Sequence, residues 1–222
     1  MTTLLRFVIV ILTLHVQILA EAKVERKGSQ MIVSGIIGND PTEFQQILKD
    51  DGVVEVVFKD CLGGDYRQSI ALFLAIYQKK IRTSFTGQCT SGCAWAFMGG
   101  SERRENPRTF GTNVIGFHGA YYDASSGFPN LLTDEDIKEK NARQAQAIRT
   151  RSRQKFAPDL MRVIEQTGSA DEGVFFIREY FPFISVKEKL AICLRNKKAP
   201  SEPVICTERQ DGDLKSMGIV TD

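Results

Sequence analysis

Apolar residues in the first hundred positions alternate between short β-branched runs and longer runs with helical spacing. The segments 30–37 and 53–58 (QMIVSGII and VVEVVF) are rich in Val and Ile, which predicts buried strands. A third strand is predicted over residues 81–85. Helical spacing predicts helices over 41–49 and 67–80, between these strands. Because strands and helices alternate, the sequence predicts an α/β fold with a mostly parallel sheet.

The second half of the chain is more polar, and its pattern is less regular. Residues 114–117 predict a fourth strand, and residues 131–168 predict a mostly helical segment that Thr133 caps. The middle of this helix is highly charged, which favours an arm that leaves the globular body. Pro158 is expected to break or kink it. Past Tyr180 the elements are harder to place from the pattern.

The N-terminus has the layout of a secretory signal peptide. Residues 1–6 carry one positive charge, residues 7–20 are mostly apolar, and Ala20-Glu21-Ala22 is an A-x-A cleavage site. The apolar run contains His15 and is short for a membrane span, although an uncleaved anchor remains the alternative. We therefore expect residues 1–22 to be removed and the protein to be periplasmic or secreted, with no membrane span after cleavage.

Length, composition and charge limit the functional classes. The chain has 222 residues with a formal net charge of +2, and 42% of its residues are hydrophobic. These values predict one folded domain, residues 23–222. The small charge, without aromatic residues interleaved among basic clusters, gives no reason to expect nucleic-acid binding. One histidine remains after signal cleavage, which argues against a zinc site, and no metal or other cofactor is expected.

Export makes the five cysteines candidates for disulfides rather than for metal ligands. Cys193 and Cys206 bracket a polar segment and would staple it. Cys61, Cys89 and Cys93 supply the candidates for a second bridge, which leaves one odd thiol. Cys89 or Cys93 as a catalytic nucleophile is the alternative, and it is disfavoured because an exported thiolate is easily oxidised.

The segment 86–100 (TGQCTSGCAWAFMGG) contains the candidate nucleophile. Ser91 lies where the third strand passes into a run of small residues with helical character, and Gly92 follows it. A serine at such a turn is exposed and surrounded by free backbone N–H groups, which can stabilise an oxyanion. Ser91 is therefore a candidate nucleophile, and the alternative is that it only caps the helix.

Two further residues complete a candidate catalytic set, because a nucleophilic serine needs a base and the base needs an orienting carboxylate. His118 follows the fourth strand and is the candidate base. Asp171, after the long helix, is the candidate acid, and Glu172, Asp211 and Asp213 are further candidates for that role. Each residue alone has an ordinary structural interpretation, so the prediction rests on the set.

Five short segments carry a resemblance to a known family. They are Cys61-Leu62-Gly63-Gly64, 87–94 (GQCTSGCA), Phe117-His118, 164–171 (IEQTGSAD) and Gly218-Ile219-Val220. In that order they resemble an S-P-G-G turn, a G-Q-x-x-S-x-x-A segment, an I-H at a strand end, a segment that ends in a triad aspartate, and a closing G-L-V. The chain thereby resembles the Clp protease proteolytic subunit within the ClpP/crotonase superfamily, and most of all its exported relatives.

The resemblance implies a fold of stacked β-α-β units with a mostly parallel sheet and a protruding helical arm. It identifies residues 181–213 as an insertion relative to the family. In the family the charged arm packs between subunits, so the resemblance also implies a homo-oligomer.

The resemblance further implies a serine peptidase that acts on a peptide or protein without a cofactor. Ser91 would be the nucleophile, His118 the general base and Asp171 the acid that orients it. The oxyanion would be held by backbone N–H groups of glycines, namely Gly92 and either Gly63 or Gly64.

Two further functions remain open at the level of the sequence. One is a catalytically inactive ClpP-like module that binds peptides or partner proteins, since one fold serves several functions. The second is acyl transfer or thioester chemistry of the crotonase type, for which no coenzyme A signature is visible. The joint presence of Ser91 and His118 favours the hydrolase.

Overall fold

The fold is that of a computed structural model, which describes residues 23–38, 42–49, 51–120, 133–167, 169, 171–181, 184–196 and 201–221. The predicted signal peptide, residues 1–22, lies outside these ranges. Within them, no helix combines the length and the apolar character that crossing a membrane requires.

A mixed sheet of nine strands forms the centre of the described part of the chain. The strands are β1 (Lys23–Lys27), β2 (Gln30–Ile37), β3 (Glu55–Gly64), β4 (Arg82–Thr90), β5 (Arg103–Glu105), β6 (Gly111–Phe117), β7 (Gly173–Phe181), β8 (Ile184–Leu194) and β9 (Ile205–Arg209). Their order is β1-β2-β3-β4-β6-β7-β8-β9, with β5 paired to β4 beside this row.

The sheet confirms the α/β class but is parallel only in its first half. β2, β3, β4, β5 and β6 pair in parallel, whereas β1, β7, β8 and β9 pair antiparallel with their neighbours. Only residues 182 and 183 separate β7 from β8, and a parallel crossover needs a dozen residues or more. The expected mostly parallel sheet is therefore corrected to a mixed sheet.

The segment that was expected to be an insertion continues this sheet. β8 and β9 fall within residues 181–213 and extend the antiparallel half. Cys193 and Cys206 are direct partners in the pairing of the two strands, and a disulfide joins them, which confirms the predicted staple.

Five helices accompany the described strands: α1 (Thr42–Lys49), α2 (Tyr66–Gln78), α3 (Gly92–Phe97), α4 (Asp134–Arg151) and α5 (Pro158–Gln166). Two of them begin with side-chain caps that satisfy free N–H groups of the first turn. Asp65 accepts a hydrogen bond from the Gln68 N–H group at the start of α2. Thr133 and Asp136 form a reciprocal capping box at the start of α4.

The long helical segment is broken, and its second half packs on the body of the protein. α4 ends at Arg151 and α5 begins at Pro158, which occupies a first-turn position where no N–H group is needed. The expected arm that leaves the body does not include the part of α4 from Asn141 to Ile148, which packs on the body. A stripe of its residues at helical spacing is buried, namely Asn141, Gln144, Ala145 and Ile148.

A chain of aromatic side chains fixes the core under the carboxyl ends of the central strands. Trp95 of α3 meets Phe117 of β6 edge to face, with ring centroids 6.0 Å apart. Phe156 continues the series at 6.0 Å from Phe117 and 6.1 Å from Phe176. Each such pair adds roughly 0.5–1.5 kcal/mol beyond the burial of its area. The residues that follow β4 and β6 are therefore supported by a rigidly packed part of the core.

Candidate active site

Ser91 occupies a strained turn between β4 and α3. Its backbone has φ 57° and ψ −130°, a region that non-glycine residues rarely adopt and that costs about 1–3 kcal/mol. The Ser91 N–H group donates to the Gly116 carbonyl at 3.0 Å, and the Ser91 carbonyl accepts from Trp95 N–H at 3.2 Å. The side chain makes no capping hydrogen bond to α3. Helix capping by the hydroxyl therefore does not explain the serine.

A glycine pair at the end of β3 lies directly against this turn. Gly63 has φ 80°, and a Cβ added to it would lie 2.6 Å from the Ser91 Cβ atom and 2.4 Å from the Gly92 nitrogen. A Cβ added to Gly92 would lie 3.4 Å from the Gly64 nitrogen. The structure thus brings the three predicted oxyanion-hole glycines into contact around Ser91, and only residues without side chains fit there.

A disulfide spans the turn that contains Ser91. Cys89 and Cys93 are joined across Ser91, with their Cα atoms 5.2 Å apart. This confirms the predicted second bridge, and it leaves neither cysteine as a thiolate nucleophile. The one thiol expected to remain unpaired among these three cysteines is Cys61, which is free and buried beside Cys89 in the pairing of β3 with β4. Burial raises the pKa of the Cys61 thiol to about 12, so this thiol stays protonated.

His118 lies at the same edge of the sheet as Ser91. β4 and β6 are parallel neighbours in which Thr90 pairs with Gly116, so the residues that follow them leave the sheet side by side. The His118 side chain is only 4% exposed. Burial lowers the pKa of His118, and a hydrogen bond to the Gly119 carbonyl opposes that effect in part. The imidazole is therefore neutral at pH 7.

The hydrogen bond of Nδ1 assigns the tautomer of His118. Nδ1 lies 2.7 Å from the carbonyl oxygen of Gly119. A carbonyl oxygen only accepts hydrogen bonds, so Nδ1 carries the proton and Nε2 carries the lone pair. Nε2 is thus the basic atom of the ring, as a general base for a neighbouring hydroxyl requires.

Two buried polar side chains hold the backbone that follows His118. The Gly119 N–H group donates to Thr167 Oγ1 at 2.7 Å, and the Ala120 N–H group donates to Asn141 Oδ1 at 2.5 Å. Thr167 and Asn141 are each 4% exposed. Neither residue was predicted from the sequence. Asn141 shares its buried stripe on α4 with a second polar residue, Gln144, so the sequence pattern gives no signal that singles it out.

Asp171 lies after α5, and its carboxylate takes part in a different set of bonds. It accepts from Ser169 Oγ at 2.5 Å and from Arg195 Nη2 at 2.7 Å, and 55% of its side chain is exposed. The bond to Ser169, with the charge of Arg195, lowers the pKa of Asp171. The neighbouring Glu172 is buried and accepts from the Arg195 N–H group at 2.9 Å, and its second carboxylate oxygen lies 2.9 Å from the same Ser169 hydroxyl.

Asp211 and Asp213, the remaining candidates for the acid, also have local partners. Asp211 pairs with Arg209, and Asp213 accepts from the N–H groups of Lys215 and Ser216. The Nδ1 bond of His118 that the structure describes ends at the Gly119 carbonyl instead. Ser91, His118 and the three glycines thus form a group at one edge of the sheet, whereas the described bonds of Asp171 link the loop after α5 to Arg195.

Comparison of the chain with known protein families found no match, and comparison with curated proteins found none either. Within the parts of the chain that the structure describes, no group of three or more His, Cys, Asp or Glu side chains is arranged to hold a metal ion. The functional assignment therefore rests on the geometry around Ser91.

Proposed function

We propose that the protein is an exported serine hydrolase, specifically a peptidase, whose nucleophile is Ser91 and whose general base is His118. The observation that carries the proposal is the strained backbone of Ser91, with φ 57° and a hydroxyl that does not cap α3. Strained non-glycine residues persist where the surrounding structure enforces them, and they cluster at active sites. The contact with Gly63 and the neighbouring strand end of His118 supply the reason for such a turn here.

The proposed reaction begins with proton transfer from Ser91 Oγ to His118 Nε2 as Oγ attacks the acyl carbon of the substrate. The negative charge that develops on the carbonyl oxygen accepts hydrogen bonds from the N–H groups of Gly92 and of Gly63 or Gly64. Loss of one such donor typically costs about 100- to 1000-fold in rate. His118 then protonates the leaving group, and water hydrolyses the acyl-enzyme by the same steps in reverse.

The electrostatics of His118 support this role. Because burial lowers its pKa, the ring is neutral at neutral pH and has the lone pair that a base needs. When Nε2 takes up the serine proton, the ring becomes a buried cation. The Gly119 carbonyl, 2.7 Å from Nδ1, then faces that charge with its negative end and stabilises it.

The cysteine pattern supports an exported protein. Two disulfides form among the five cysteines, and such bonds persist in oxidising compartments outside the cytoplasm. Together with the signal-peptide pattern of residues 1–22, they support an activity in the periplasm or outside the cell. ATP-dependent partners are not available there, so the proposed peptidase acts without them, as a homo-oligomer of the kind that the family resemblance implies.

Burst kinetics with a small activated ester test the proposal without knowledge of the natural substrate. The protein is mixed with p-nitrophenyl acetate, and the release of nitrophenol is followed. A burst of about one equivalent per chain is expected from formation of an acyl-enzyme. It should vanish in Ser91→Ala and His118→Ala and persist in Ser101→Ala, a matched control at an exposed serine. A burst in Ser91→Ala would exclude Ser91, and no burst in the folded protein would favour the peptide-binding module.

A further inference from the structure

We propose that Asn141 and Thr167 are positioning residues that set the tautomer of His118 through the peptide groups on either side of Gly119. Each side chain accepts one hydrogen bond from the backbone around Gly119, and the Gly119 carbonyl in turn bonds the imidazole. The catalytic consequence of this inference rests on the proposed function, whereas the tautomer itself is a property of the folded protein.

Asn141 holds the peptide group that joins Gly119 to Ala120. A peptide group is planar and trans, so its carbonyl oxygen and its N–H group point in opposite directions. The Ala120 N–H group donates to Asn141 Oδ1 at 2.5 Å, and the Gly119 carbonyl of the same group accepts from His118 Nδ1 at 2.7 Å. By holding one end of this rigid unit, Asn141 aims the other end at the imidazole.

Thr167 holds the preceding peptide group, which joins His118 to Gly119. Its N–H group donates to Thr167 Oγ1 at 2.7 Å. The Thr167 hydroxyl in turn donates its proton to the Ile164 carbonyl at 2.8 Å, so that its lone pair remains for Gly119. With both flanking peptide groups held, the position of the Gly119 carbonyl is fixed at both ends.

The anchors themselves are rigid. Asn141 lies on the buried stripe of α4, and its Nδ2 group donates to the Glu165 carbonyl at the end of α5 at 3.3 Å. Thr167 directly follows α5. A Cβ added to Gly119 would lie 2.6 Å from Asn141 Nδ2 and 2.6 Å from the Ile164 carbonyl oxygen, so the backbone is enclosed between the two helices. Two buried groups on separate elements therefore converge on one peptide.

In a catalytic triad a carboxylate orients the imidazole and keeps the proton on Nδ1. Here the neutral Gly119 carbonyl takes that role. The carbonyl keeps the proton on Nδ1 and the lone pair on Nε2, while it raises the pKa of the ring less than an adjacent negative charge would. Asp171, with its bonds to Ser169 and Arg195, is not needed for the tautomer in this account.

Nitrogen-15 NMR of the imidazole tests the inference directly. The full chain carries two histidines, so His15→Gln leaves His118 as the only source of imidazole signals. The shifts of Nδ1 and Nε2 distinguish the protonated ring nitrogen from the unprotonated one. In the parent protein at neutral pH we expect the proton on Nδ1. A proton on Nε2 would overturn the inference, whatever the variants do.

Matched substitutions at the two anchors supply the second arm. Thr167→Val removes the hydroxyl at constant shape, and Thr167→Ser restores it. Asn141→Leu removes the amide, and Asn141→Asp keeps an oxygen that accepts from Ala120. We expect the Val and Leu variants to give a mixture of tautomers, with the Ser and Asp variants closer to the parent. Asp171→Asn should leave the proton on Nδ1, and an unchanged tautomer in both Thr167→Val and Asn141→Leu would overturn the inference.

The same variants connect the tautomer to catalysis. With the activated ester, Thr167→Val and Asn141→Leu should lower kcat by about 10- to 100-fold and change KM little, because a misplaced base affects the chemical step. Thr167→Ser should recover most of kcat. A fall in kcat without a change of tautomer would contradict the inference. If the parent protein shows Nδ1–H but forms no acyl-enzyme, the proposed function fails and the positioning of His118 stands.

Discussion

The proposed chemistry of the candidate site depends on single residues whose backbone groups, rather than side chains, make the decisive contacts. Ser91 has an unusual positive φ, and Gly63 lies so close to it that a methyl group would collide with the Ser91 Cβ atom. The Gly119 carbonyl binds the imidazole of His118 at 2.7 Å. In each case the function of the residue is visible only from what its backbone touches.

We predict that Gly63→Ala abolishes most of the activity. The added Cβ would lie 2.6 Å from the Ser91 Cβ atom and from the Thr90 carbonyl oxygen, so the turn must shift. Because the oxyanion donors shift with it, acyl-enzyme formation should slow by about 100-fold or more. Stopped-flow release of nitrophenol measures this rate.

Gly28→Ala is the matched control for the backbone conformation. Gly28 also has a positive φ, of 59°, but a Cβ there would meet no atom within 4 Å. Both substitutions carry the left-handed cost of roughly 1–2 kcal/mol in the free energy of unfolding. Only Gly63→Ala should slow the reaction, and an equal loss of activity in Gly28→Ala would show that general destabilisation is the cause.

We predict that activity persists below the ordinary pKa of histidine. The folded-state pKa of His118 is lowered from 6.5 because the ring is buried. The base is active when neutral, so kcat/KM should stay constant as the pH falls through 6.5 and should decline only at lower pH. A pH–rate profile with the activated ester measures this limb, and a decline centred above pH 6.5 would contradict the prediction.

We predict that the free energy of unfolding also depends on pH through His118. Since the folded state resists protonation of His118 and the unfolded state does not, protons bind preferentially to the unfolded chain below pH 6.5. The free energy of unfolding should therefore fall as the pH drops from 6.5 towards the lowered pKa, and should level off above 6.5. Carboxyl groups whose pKa is lowered, such as Asp171, reduce the free energy of unfolding only at more acidic pH, as the pH falls through their ordinary pKa of 3.8. Urea unfolding of His118→Gln, which lacks this titration, is the control.

At the scale of elements, the two disulfides have different tasks. Cys89–Cys93 ties the end of β4 to α3 across four positions and holds the turn of Ser91. Cys193–Cys206 joins β8 to β9 across 13 positions, and β6 and β7 lie between β8 and the strand β4 that leads to Ser91. A bridge that closes a longer loop stabilises more in the chain-entropy account.

We predict that removal of the two bridges separates activity from stability. Cys193→Ala with Cys206→Ala should lower the free energy of unfolding by roughly 2–4 kcal/mol and leave the rate of acyl-enzyme formation nearly unchanged. Cys89→Ala with Cys93→Ala should slow that rate by about 10- to 100-fold, because the nucleophile turn loosens. Urea unfolding and burst kinetics measure the two effects, and equal rates in both double variants would show that the bridge does not position Ser91.

The elements of the first half were predictable because each has a clear period. The predicted strand 30–37 coincides with β2, and the predicted helix 67–80 lies within two residues of α2. The predicted strand 53–58 continues as β3 through the glycine turn, since Gly63 and Gly64 keep pairing with β2. The local sequence pattern indicates where a strand begins. It does not show how far the strand continues, because that depends on its pairing with a strand that is distant in sequence.

The antiparallel half was not predictable from the same signals. Residues 184–194 mix charged and apolar residues, since part of β8 is exposed, so no buried run marks the strand. Its pairing depends on β7 and β9 and on the bridge to Cys206. The interior of α4 was predicted as an arm because its charge is high, whereas tertiary packing buries the stripe that contains Asn141.

Some residues of the candidate site were likewise predictable from the sequence, and others were not. Ser91, His118 and the glycine pair were predictable because strand ends meet at one edge of a parallel sheet. Asn141 and Thr167 were not, since nothing local indicates that two helical elements converge on the peptide after His118.

At the scale of the whole molecule, one buried arginine joins four parts of the chain. Arg103 is 3% exposed, and its guanidinium donates to the carbonyls of Ile219, Gly218, Gly100 and Arg151. It therefore connects β5, the end of α3, the end of α4 and the C-terminal segment. The element that carries Ser91 at its start is thus held at its far end by this residue.

We predict that Arg103→Lys lowers the free energy of unfolding by about 2–4 kcal/mol, because an ammonium group cannot replace the planar fork and leaves buried carbonyls unpaired. Arg104→Lys is the matched control, since Arg104 is exposed and a surface ion pair such as the one it forms with Glu102 contributes little to stability. It should change stability by less than about 0.5 kcal/mol. Urea unfolding measures both, and equal stabilities would show that Arg103 is not a structural anchor.

The most direct test of the central claim is the site of covalent labelling by a fluorophosphonate. Intact mass and peptide mapping of the folded, disulfide-intact protein should show one adduct, on Ser91, because only an activated serine reacts quickly with this probe. The adduct should be absent from His118→Ala. An adduct on another residue, equal labelling of His118→Ala, or no adduct at all would contradict the assignment of Ser91 and His118 as nucleophile and base.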